Sequence, residues 1–159
     1  ALWYAAEART VELINPTEEQ KALMDPGLIR IYEKGCAYTA RDYVAAEQVR
    51  ADLKVTMALF HQTYDALMLP TMPTTAIEAG VDFPGGIEGK DWSDWSPFTY
   101  PFNMTGQPAV SIPCGFDQGG LPIGLQFVGP RYRDDIVLAL AAAYQSAFPE
   151  ETISAPRLV

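Results

Sequence analysis

The sequence is short of basic residues and of long apolar runs. Eleven lysines and arginines stand against 20 acidic residues, and the formal charge of −9 disfavours binding to nucleic acid or to an anionic membrane surface. No apolar run approaches the roughly 20 residues that a membrane-spanning helix needs, and the N-terminus lacks the pattern of a signal peptide. We therefore expect a soluble, cytoplasmic protein without a nucleic-acid or membrane partner.

Cysteine and histidine are just as scarce. Cys36 and Cys114 are far apart and show no metal-ligand spacing, which predicts reduced thiols, no metal site and no cofactor. Cys114 is predicted to be a small core residue, whereas Cys36 has no favoured role. A cysteine nucleophile would need an imidazole beside it, and the single histidine, His61, follows Phe60 near the end of a predicted helix. A structural role for His61 is therefore favoured over a catalytic one.

Serine is sparse too, and no serine stands in a stretch suited to nucleophilic catalysis. Ser111 falls in a predicted core strand, where we expect a packed hydroxyl rather than a nucleophile. Asp91 and Asp94 lie around Trp92 in a predicted loop and are more typical of solvated carboxylates than of an acid–base pair. We therefore predict no catalytic residue within this chain. The serines, none of which lies between glycines, are Ser93, Ser96, Ser111, Ser146 and Ser154.

The sequence does contain a pair of short apolar runs typical of strands. Residues 109–114 are opened by Pro108 and closed by Gly115, and residues 123–128 form the second run. Residues 117–120 between them tolerate positive φ. The two strands are therefore predicted to pair as an antiparallel hairpin.

Periodicity and capping residues predict several helices, of which residues 40–63 form the longest. This helix starts with Thr39 and Asp42 and carries an apolar stripe that we expect to be buried. The stripe comprises Val49, Leu53, Met57, Phe60 and Tyr64, while Glu47, Arg50 and Lys54 are expected to face away.

The remaining predicted helices are shorter, and each is delimited by a capping residue, a glycine or a proline. The first covers residues 2–10, and the second runs from a capping box of Thr17 and Gln20 to Met24. The third, residues 26–35, follows Asp25, carries Leu28, Ile31 and Tyr32 inward and ends at Gly35. The last is capped by Asp134 or Asp135, ends at Pro149 and has an apolar stripe of Val137, Leu140, Ala141, Tyr144 and Phe148.

Residues 66–69 are predicted to be a strand fully buried between helices, and residues 70–101 then break the regular pattern with repeated prolines and glycines. A connection this long inside a compact domain is usually functional, so we predict a loop that lines a pocket. Its tryptophans, Trp92 and Trp95, either seal that pocket or pack the loop onto its own core, and both interpretations stay open. Residues 150–159 are predicted to be a tail, and all 159 residues are assigned to a single unit.

Three segments together resemble the amidase signature family. They are residues 64–73 (YDALMLPTMP), residues 103–116 (NMTGQPAVSIPCGF) and residues 120–129 (GLPIGLQFVG). The order and spacing of these blocks fit the family over most of the chain. The resemblance implies an α/β fold, the C-terminal part of the mixed-sheet amidase signature fold, with helices packed on a few strands.

The same resemblance implies hydrolysis of a non-peptide amide by two serines and a lysine, without histidine. In the family these residues belong to a glycine- and serine-rich stretch toward the N-terminal half, and this sequence contains no such stretch. The chain also starts at Ala1 without a methionine. We therefore expect the C-terminal fragment of a larger amidase, inactive when alone.

By resemblance, the turn after residues 66–69 and the segment before the hairpin belong to the family's substrate funnel, which would take a small-molecule amide. For Asn103, a hydrogen bond to the loop backbone is an equally good interpretation. The predicted substrate-binding residues are Thr71, Met72, Pro73, Trp92, Trp95, Asn103 and Met104.

Two alternative functions stay open. Within the family, the chain could belong to the A subunit of a tRNA-dependent glutamine amidotransferase, although the aromatic loop favours a free-standing amidase with a larger apolar substrate. From another class, it could be a non-catalytic interaction module that keeps the architecture alone. A sheet taken from a larger protein leaves an unpaired edge and an uncovered apolar face, so we expect self-association or pairing with the N-terminal part.

Overall fold

The computed structural model describes residues 1–81, 84 and 95–151. The chain divides into two compact units, Ala1–Leu53 and Lys54–Val159. The described helices are α1 (Leu2–Ile14), α2 (Glu18–Lys21), α3 (Pro26–Cys36), α4 (Ala40–Phe60), α5 (Tyr100–Thr105) and α6 (Asp134–Ala147), with a 3₁₀ turn at Pro149–Glu151. The described strands are β1 (Leu67–Pro70), β2 (Ala109–Phe116) and β3 (Pro122–Val128). Among the described helices, none has the length and apolarity needed to cross a bilayer. The assignment of the whole chain to one fragment of an amidase domain stays a prediction.

Helices α1 and α3 approach each other closely at Gly35. This glycine is buried inside α3, and a Cβ atom on it would lie 2.1 Å from the carbonyl oxygen of Tyr4 and 2.6 Å from Cβ of Ala8. The predicted helix end at Gly35 is therefore wrong, because the missing side chain serves the contact between two backbones rather than a turn. Helix α1 runs further than predicted, to Ile14, and ends where Asn15 adopts a left-handed conformation with φ 49°.

Capping side chains set the starts of α2 and α3. Thr17 Oγ1 accepts a hydrogen bond from the N–H of Gln20, and Gln20 Oε1 accepts one from the N–H of Thr17, which confirms the predicted capping box. Asp25 accepts a hydrogen bond from the N–H of Leu28 at the start of α3, also as predicted. Helix α2 stops at Lys21 and is shorter than predicted. The residues predicted to face inward from α3, namely Leu28, Ile31 and Tyr32, are half-buried.

The predicted burial of one face of α4 is wrong for the described chain. Thr39 and Asp42 cap its start with reciprocal hydrogen bonds, as predicted, but no residue of α4 is buried and Val49 is 67% exposed. Lys54, which is predicted to face away, is half-buried, and the helix ends at Phe60. Apolar residues occur on several sides of this helix, so their spacing does not single out one packed face. The exposed apolar side chains here are Val44, Val49, Val55, Leu59 and, after the helix, Tyr64.

The sheet is antiparallel with the strand order β1-β3-β2, which confirms the predicted hairpin of β2 and β3. Strand β2 does not stop before Gly115 as predicted. It continues to Phe116 through a register shift that begins after Pro113, and Gly115 takes a φ of 120° there. A bulge of this kind lets a strand continue past a residue that would otherwise end it.

The turn between β2 and β3 is organised by Asp117. Its Oδ1 accepts hydrogen bonds of 2.8 Å from the N–H groups of Gly119 and Leu121, and its Oδ2 accepts one of 2.7 Å from the hydroxyl of Thr75. The bond from Thr75, followed by the bonds from the turn backbone, lowers the pKa of the Asp117 carboxyl. The turn is therefore closed by a carboxylate as well as by its glycines.

Strand β1 is covered on one side only, so its predicted full burial is wrong. Its side chains alternate between half-buried and exposed, and Met68 is 63% exposed. The strand pairs with β3, where Leu67 stands opposite Val128, and its other edge has no partner strand among the described residues. A face and an edge of β1 are thus open within this part of the chain.

Helix α6 packs against the hairpin of β2 and β3 and completes the core around Ile112, Phe127 and Ala141. The carboxylates predicted to cap this helix lie inside its first turn, and the residue before the helix is Arg133. Asp135 pairs with Arg133 at 2.7 Å, and the helix dipole favours negative charge in the first turn. The predicted cap is therefore wrong, and the helix begins at Asp134, one or two residues earlier than a cap at Asp134 or Asp135 implies.

The apolar stripe of α6 is confirmed for its first four members and wrong for the last. Val137 and Ala141 are buried, Leu140 and Tyr144 are half-buried, and Phe148 follows the helix and is 48% exposed. The hydroxyl of Tyr144 donates a 2.6 Å hydrogen bond to Glu151, which raises the pKa of Tyr144 to about 12. The first residues of the predicted tail are thereby tied to α6, and residues 152–159 lie outside the described residues.

Helix α5 has no counterpart among the helices predicted from sequence. Pro101 occupies its first turn, where a missing N–H is harmless, and Gly106 ends it with a φ of 71°. Phe102 and Thr105 of this helix are buried. A proline-containing segment with the composition of a loop thus forms a helix and positions the residues that precede β2 in the sequence.

Candidate functional site

Strand β3 holds both segments that are predicted to line the substrate funnel. The N–H of Thr71 donates a 2.9 Å hydrogen bond to the carbonyl of Gly124, and the buried side-chain amide of Gln126 donates one of 2.7 Å to the carbonyl of Phe98. Gly124 and Gln126 are two residues apart on one strand and therefore share a face of the sheet. The turn after β1 and the segment that leads into α5 are thus both anchored to β3, at positions two residues apart.

A hydroxyl pair lies on that face. Oγ1 of Thr71 and Oγ of Ser111 share a 2.6 Å hydrogen bond. A Cβ atom on Gly124 would come within 2.8 Å of the first oxygen and 3.1 Å of the second, so the glycine leaves the space in which the pair forms. Ser111 is exposed, which overturns the prediction of a core hydroxyl. Its partner is another hydroxyl rather than a base, so nothing in this pair activates it as a nucleophile.

The other predicted substrate residues are distributed over the same two segments. Met72 is half-buried and Pro73 is exposed after β1, while Trp95 is half-buried ahead of α5. Asn103 is exposed and Met104 half-buried on α5, and within the described residues the Asn103 side chain makes no hydrogen bond. The position of Trp92, like those of Asp91 and Asp94, lies outside the described residues.

Behind α5 runs a hydrogen-bond network that sequence reasoning did not find. Thr105, only 1% exposed, donates to Oε1 of Gln107 at 2.7 Å. Nε2 of Gln107 lies 2.8 Å from Nε2 of His61 and donates to the carbonyl of Gly129 at 3.0 Å. The segment Thr105-Gly106-Gln107-Pro108 is part of the family resemblance, but its spacing gives no hint of a histidine 46 residues earlier.

The network also assigns the protons of His61. Nδ1 lies 3.0 Å from the carbonyl of Tyr64 and must donate, because a carbonyl only accepts. Nε2 is then the acceptor for the amide of Gln107. Both ring nitrogens of the half-buried imidazole are occupied, which agrees with the predicted structural role.

Neither cysteine is arranged for catalysis. Cys36 is exposed and Cys114 half-buried, and both are free thiols. Burial, with a smaller effect of Glu151, raises the pKa of the Cys114 thiol, which disfavours the reactive thiolate. Since His61 bonds to Gln107 and Tyr64, the structure holds no thiolate–imidazole pair among the described residues. Within residues 1–81, 84 and 95–151, no three histidine, cysteine or acidic side chains come together as metal ligands.

Comparison with known proteins decides the family. The family model described as Amidase matches residues 2–138, which is most of the chain. The chain belongs to the amidase family. The resemblance seen in the three sequence segments is thereby confirmed.

Two curated relatives and one solved structure illustrate the match of this amidase-family chain. The A subunit of glutamyl-tRNA(Gln) amidotransferase from Cyanothece sp. (strain PCC 7425 / ATCC 29141) is 39% identical over 122 residues, which is 77% of this chain and 25% of that protein. An acylamidase from Rhodococcus erythropolis is 32% identical over 152 residues, 93% of this chain and 31% of that protein. A crystal structure of an amidase superposes with a TM-score of 0.78 at 28% identity and covers 91% of this chain and 33% of that one.

The chain of this amidase-family protein corresponds to only part of each of these proteins. It spans between a quarter and a third of the length of these proteins. The mixed helices and small antiparallel sheet, together with the superposition, confirm the predicted α/β class. Two of the described serines have engaged hydroxyls, since Ser146 donates to the carbonyl of Ala142 on α6 and Ser111 pairs with Thr71.

Proposed function

We propose that this amidase-family chain is the C-terminal part of an enzyme that hydrolyses the carbon–nitrogen bond of a small, non-peptide amide. The observation that carries the proposal is the family match over residues 2–138, together with an acylamidase among the relatives. The two serines and the lysine of the reaction belong to residues outside this chain. Two of the described serines support that division, because Ser111 pairs with Thr71 and Ser146 with a helix carbonyl.

In this proposal the chain supplies strands and a wall of the substrate site. The wall consists of the turn after β1 and the segment leading into α5, which β3 holds through the carbonyl of Gly124 and the side chain of Gln126. The half-buried thioethers of Met72 and Met104 would offer an adaptable apolar surface to the substrate. The residues of the proposed wall are Thr71, Met72, Pro73, Trp92, Trp95, Asn103 and Met104.

Exposed apolar side chains and open strand edges support the presence of a further segment that covers them. The exposed aliphatic residues of α4 and the outer edges of β1 and β2, which have no partner strand among the described residues, are surfaces of the kind that proteins cover. We infer that the N-terminal part of the same enzyme covers them, in the cytoplasm. Alone, the chain is expected to self-associate through the same surfaces.

A second candidate rests on a different observation. The relative with 39% identity is the A subunit of a glutamyl-tRNA(Gln) amidotransferase, so the chain could belong to an enzyme that releases ammonia from glutamine within such a complex. Substrate choice separates the two, since a free-standing amidase would hydrolyse an aromatic anilide and the amidotransferase would hydrolyse glutamine. A non-catalytic module would hydrolyse neither.

The wall is tested in a protein that joins these 159 residues to the coding sequence upstream. Met104→Ala is expected to lower kcat/KM for an aromatic anilide about tenfold, because an apolar contact to the substrate is removed. Met24→Ala, which truncates a half-buried methionine in the unit Ala1–Leu53, is the matched control and is expected to change it by less than about twofold. Equal rates for Met104→Ala and the parent protein, with the parent's melting temperature retained, would remove Met104 from the wall.

A further inference from the structure

A cleft of about 270 Å³ lies in the unit Lys54–Val159, and none of the predicted substrate residues that the structure describes lines it. One side is formed by α4, which contributes Lys54 and Met57, and the opposite side by Pro130 and Arg131 after β3. Gln107 and His61 of the hydrogen-bond network contribute polar atoms. The volume is below the roughly 300–1,000 Å³ of pockets for drug-sized ligands, so the cleft suits a smaller molecule.

The charge of the cleft is opposite to that of the chain. Acidic residues outnumber basic ones by 20 to 11 over the whole sequence, yet the described residues of the lining include a lysine and an arginine and no carboxylate. Among the described residues neither Lys54 nor Arg131 forms an ion pair. A half-buried lysine without a counter-ion is a favourable partner for an anion that enters from solvent.

Arg131 is exposed and contacts the side chain of its neighbour Tyr132, which is itself 81% exposed. Its Nη2 donates a 3.0 Å hydrogen bond to the hydroxyl of Tyr132, and its guanidinium lies 4.9 Å from the centre of that ring. The side chain also runs past Gly106, since a Cβ atom there would be in ordinary van der Waals contact with Nε of Arg131 at 3.6 Å. The remaining N–H groups of this guanidinium are available to a carboxylate.

The polar atoms of the network are already satisfied. The amide of Gln107 donates to His61 and to the carbonyl of Gly129, and Nδ1 of His61 donates to Tyr64. The charge of a ligand must therefore be met by Lys54 and Arg131. The apolar side chains of Met57 and Pro130 favour a ligand that also has an apolar part.

We propose that this cleft binds a small organic carboxylate, whose charge contacts Lys54 and Arg131 and whose apolar part packs against Met57 and Pro130. The cleft shares no described residue with the predicted substrate wall, and its assignment does not depend on the proposed function. The two are nevertheless adjacent in the chain, because α5 carries Met104 of the wall and is followed in sequence by Gln107 of the cleft.

Ligand-detected NMR with the 159-residue chain tests the proposal. Three probes separate charge from apolar contact: sodium benzoate, benzyl alcohol, which has the ring without the charge, and inorganic phosphate, which has charge without a ring. We expect saturable binding of benzoate and much weaker binding of the other two. Absence of benzoate binding, or equal binding of benzyl alcohol or phosphate, would overturn the assignment.

Substitutions then locate the bound benzoate. Lys54→Gln and Arg131→Gln are each expected to weaken binding about three- to fivefold, since each removes one partly solvated ion pair. Arg9→Gln makes the same change of net charge at an exposed position of α1, where Arg9 pairs with Glu12, and is expected to leave the affinity unchanged. Circular dichroism of each variant checks the fold. Unaltered affinity in both cleft variants, or an equal loss in Arg9→Gln, would contradict the site.

Discussion

Gly35→Ala is expected to destabilise the helical unit by about 2–3 kcal/mol, the upper part of the range found when a group is forced into a packed contact. The added Cβ atom would lie 2.1 Å from the carbonyl oxygen of Tyr4, which is backbone and cannot rotate away as a side chain can. The sign of the effect is informative, because the same substitution in an exposed helix stabilises by about 1 kcal/mol through helix propensity. Urea denaturation followed by circular dichroism measures the difference.

Gly119→Ala is the matched control for that experiment. Its Cβ atom would meet only the Asp117 carboxylate oxygen, at 3.3 Å, and that side chain can adjust. We expect a change of about 1 kcal/mol or less. A Gly35→Ala protein more stable than the parent would show that α1 and α3 do not approach each other as closely as described.

The second large effect is expected from Gln107→Leu. Leucine removes both amide donors and the acceptor, which leaves the carbonyl of Gly129 and Nε2 of His61 without the partners they have now. An unsatisfied buried polar group costs about 1–3 kcal/mol, so a loss of about 2–3 kcal/mol in the free energy of unfolding is expected. Denaturant unfolding provides the measurement.

Two further variants show whether that loss comes from the network. Gln118→Leu, in the exposed hairpin turn, is expected to change stability by about 0.5 kcal/mol or less. His61→Ala combined with Gln107→Leu is expected to lose less than the sum of the single variants, because the two residues share one hydrogen bond. Strict additivity would mean that Gln107 and His61 act independently.

The features that could be predicted from sequence are the ones set by neighbouring residues. The capping box of Thr17 and Gln20 involves groups three residues apart, and the β2–β3 hairpin is joined by a turn whose residues specify its geometry. The family resemblance of residues 103–116 is specific because it depends on a long ordered pattern. These inferences need no knowledge of distant contacts.

The wrong predictions concern features that depend on distant partners. A glycine near a helix end fits a C-cap and a close helix contact equally well, and only the carbonyl of Tyr4 shows which applies to Gly35. The sequence correctly places Ser111 in a strand whose residues alternate between two faces of the sheet. It does not show which of the two faces helix α6 covers. The apolar residues of α4 likewise do not indicate what, within this chain, would cover them.

The candidate site was only partly accessible to sequence reasoning. The segments around Thr71 and Met104 came from resemblance to the amidase signature family, whereas their common attachment to β3 follows from the register Leu69 to Gln126 and from two hydrogen bonds. The bond between His61 and Gln107 joins residues 46 positions apart and has no local signal. Contacts of this kind require the three-dimensional arrangement.

The central claim is that this chain carries amidase architecture without the reactive serine. Intact-mass measurement after incubation with a serine-reactive fluorophosphonate tests it most directly. We expect the mass of the 159-residue chain to stay unchanged, and a protein extended by the upstream coding sequence to gain a single adduct. A stoichiometric adduct on the 159-residue chain, abolished by Ser111→Ala, would contradict the claim.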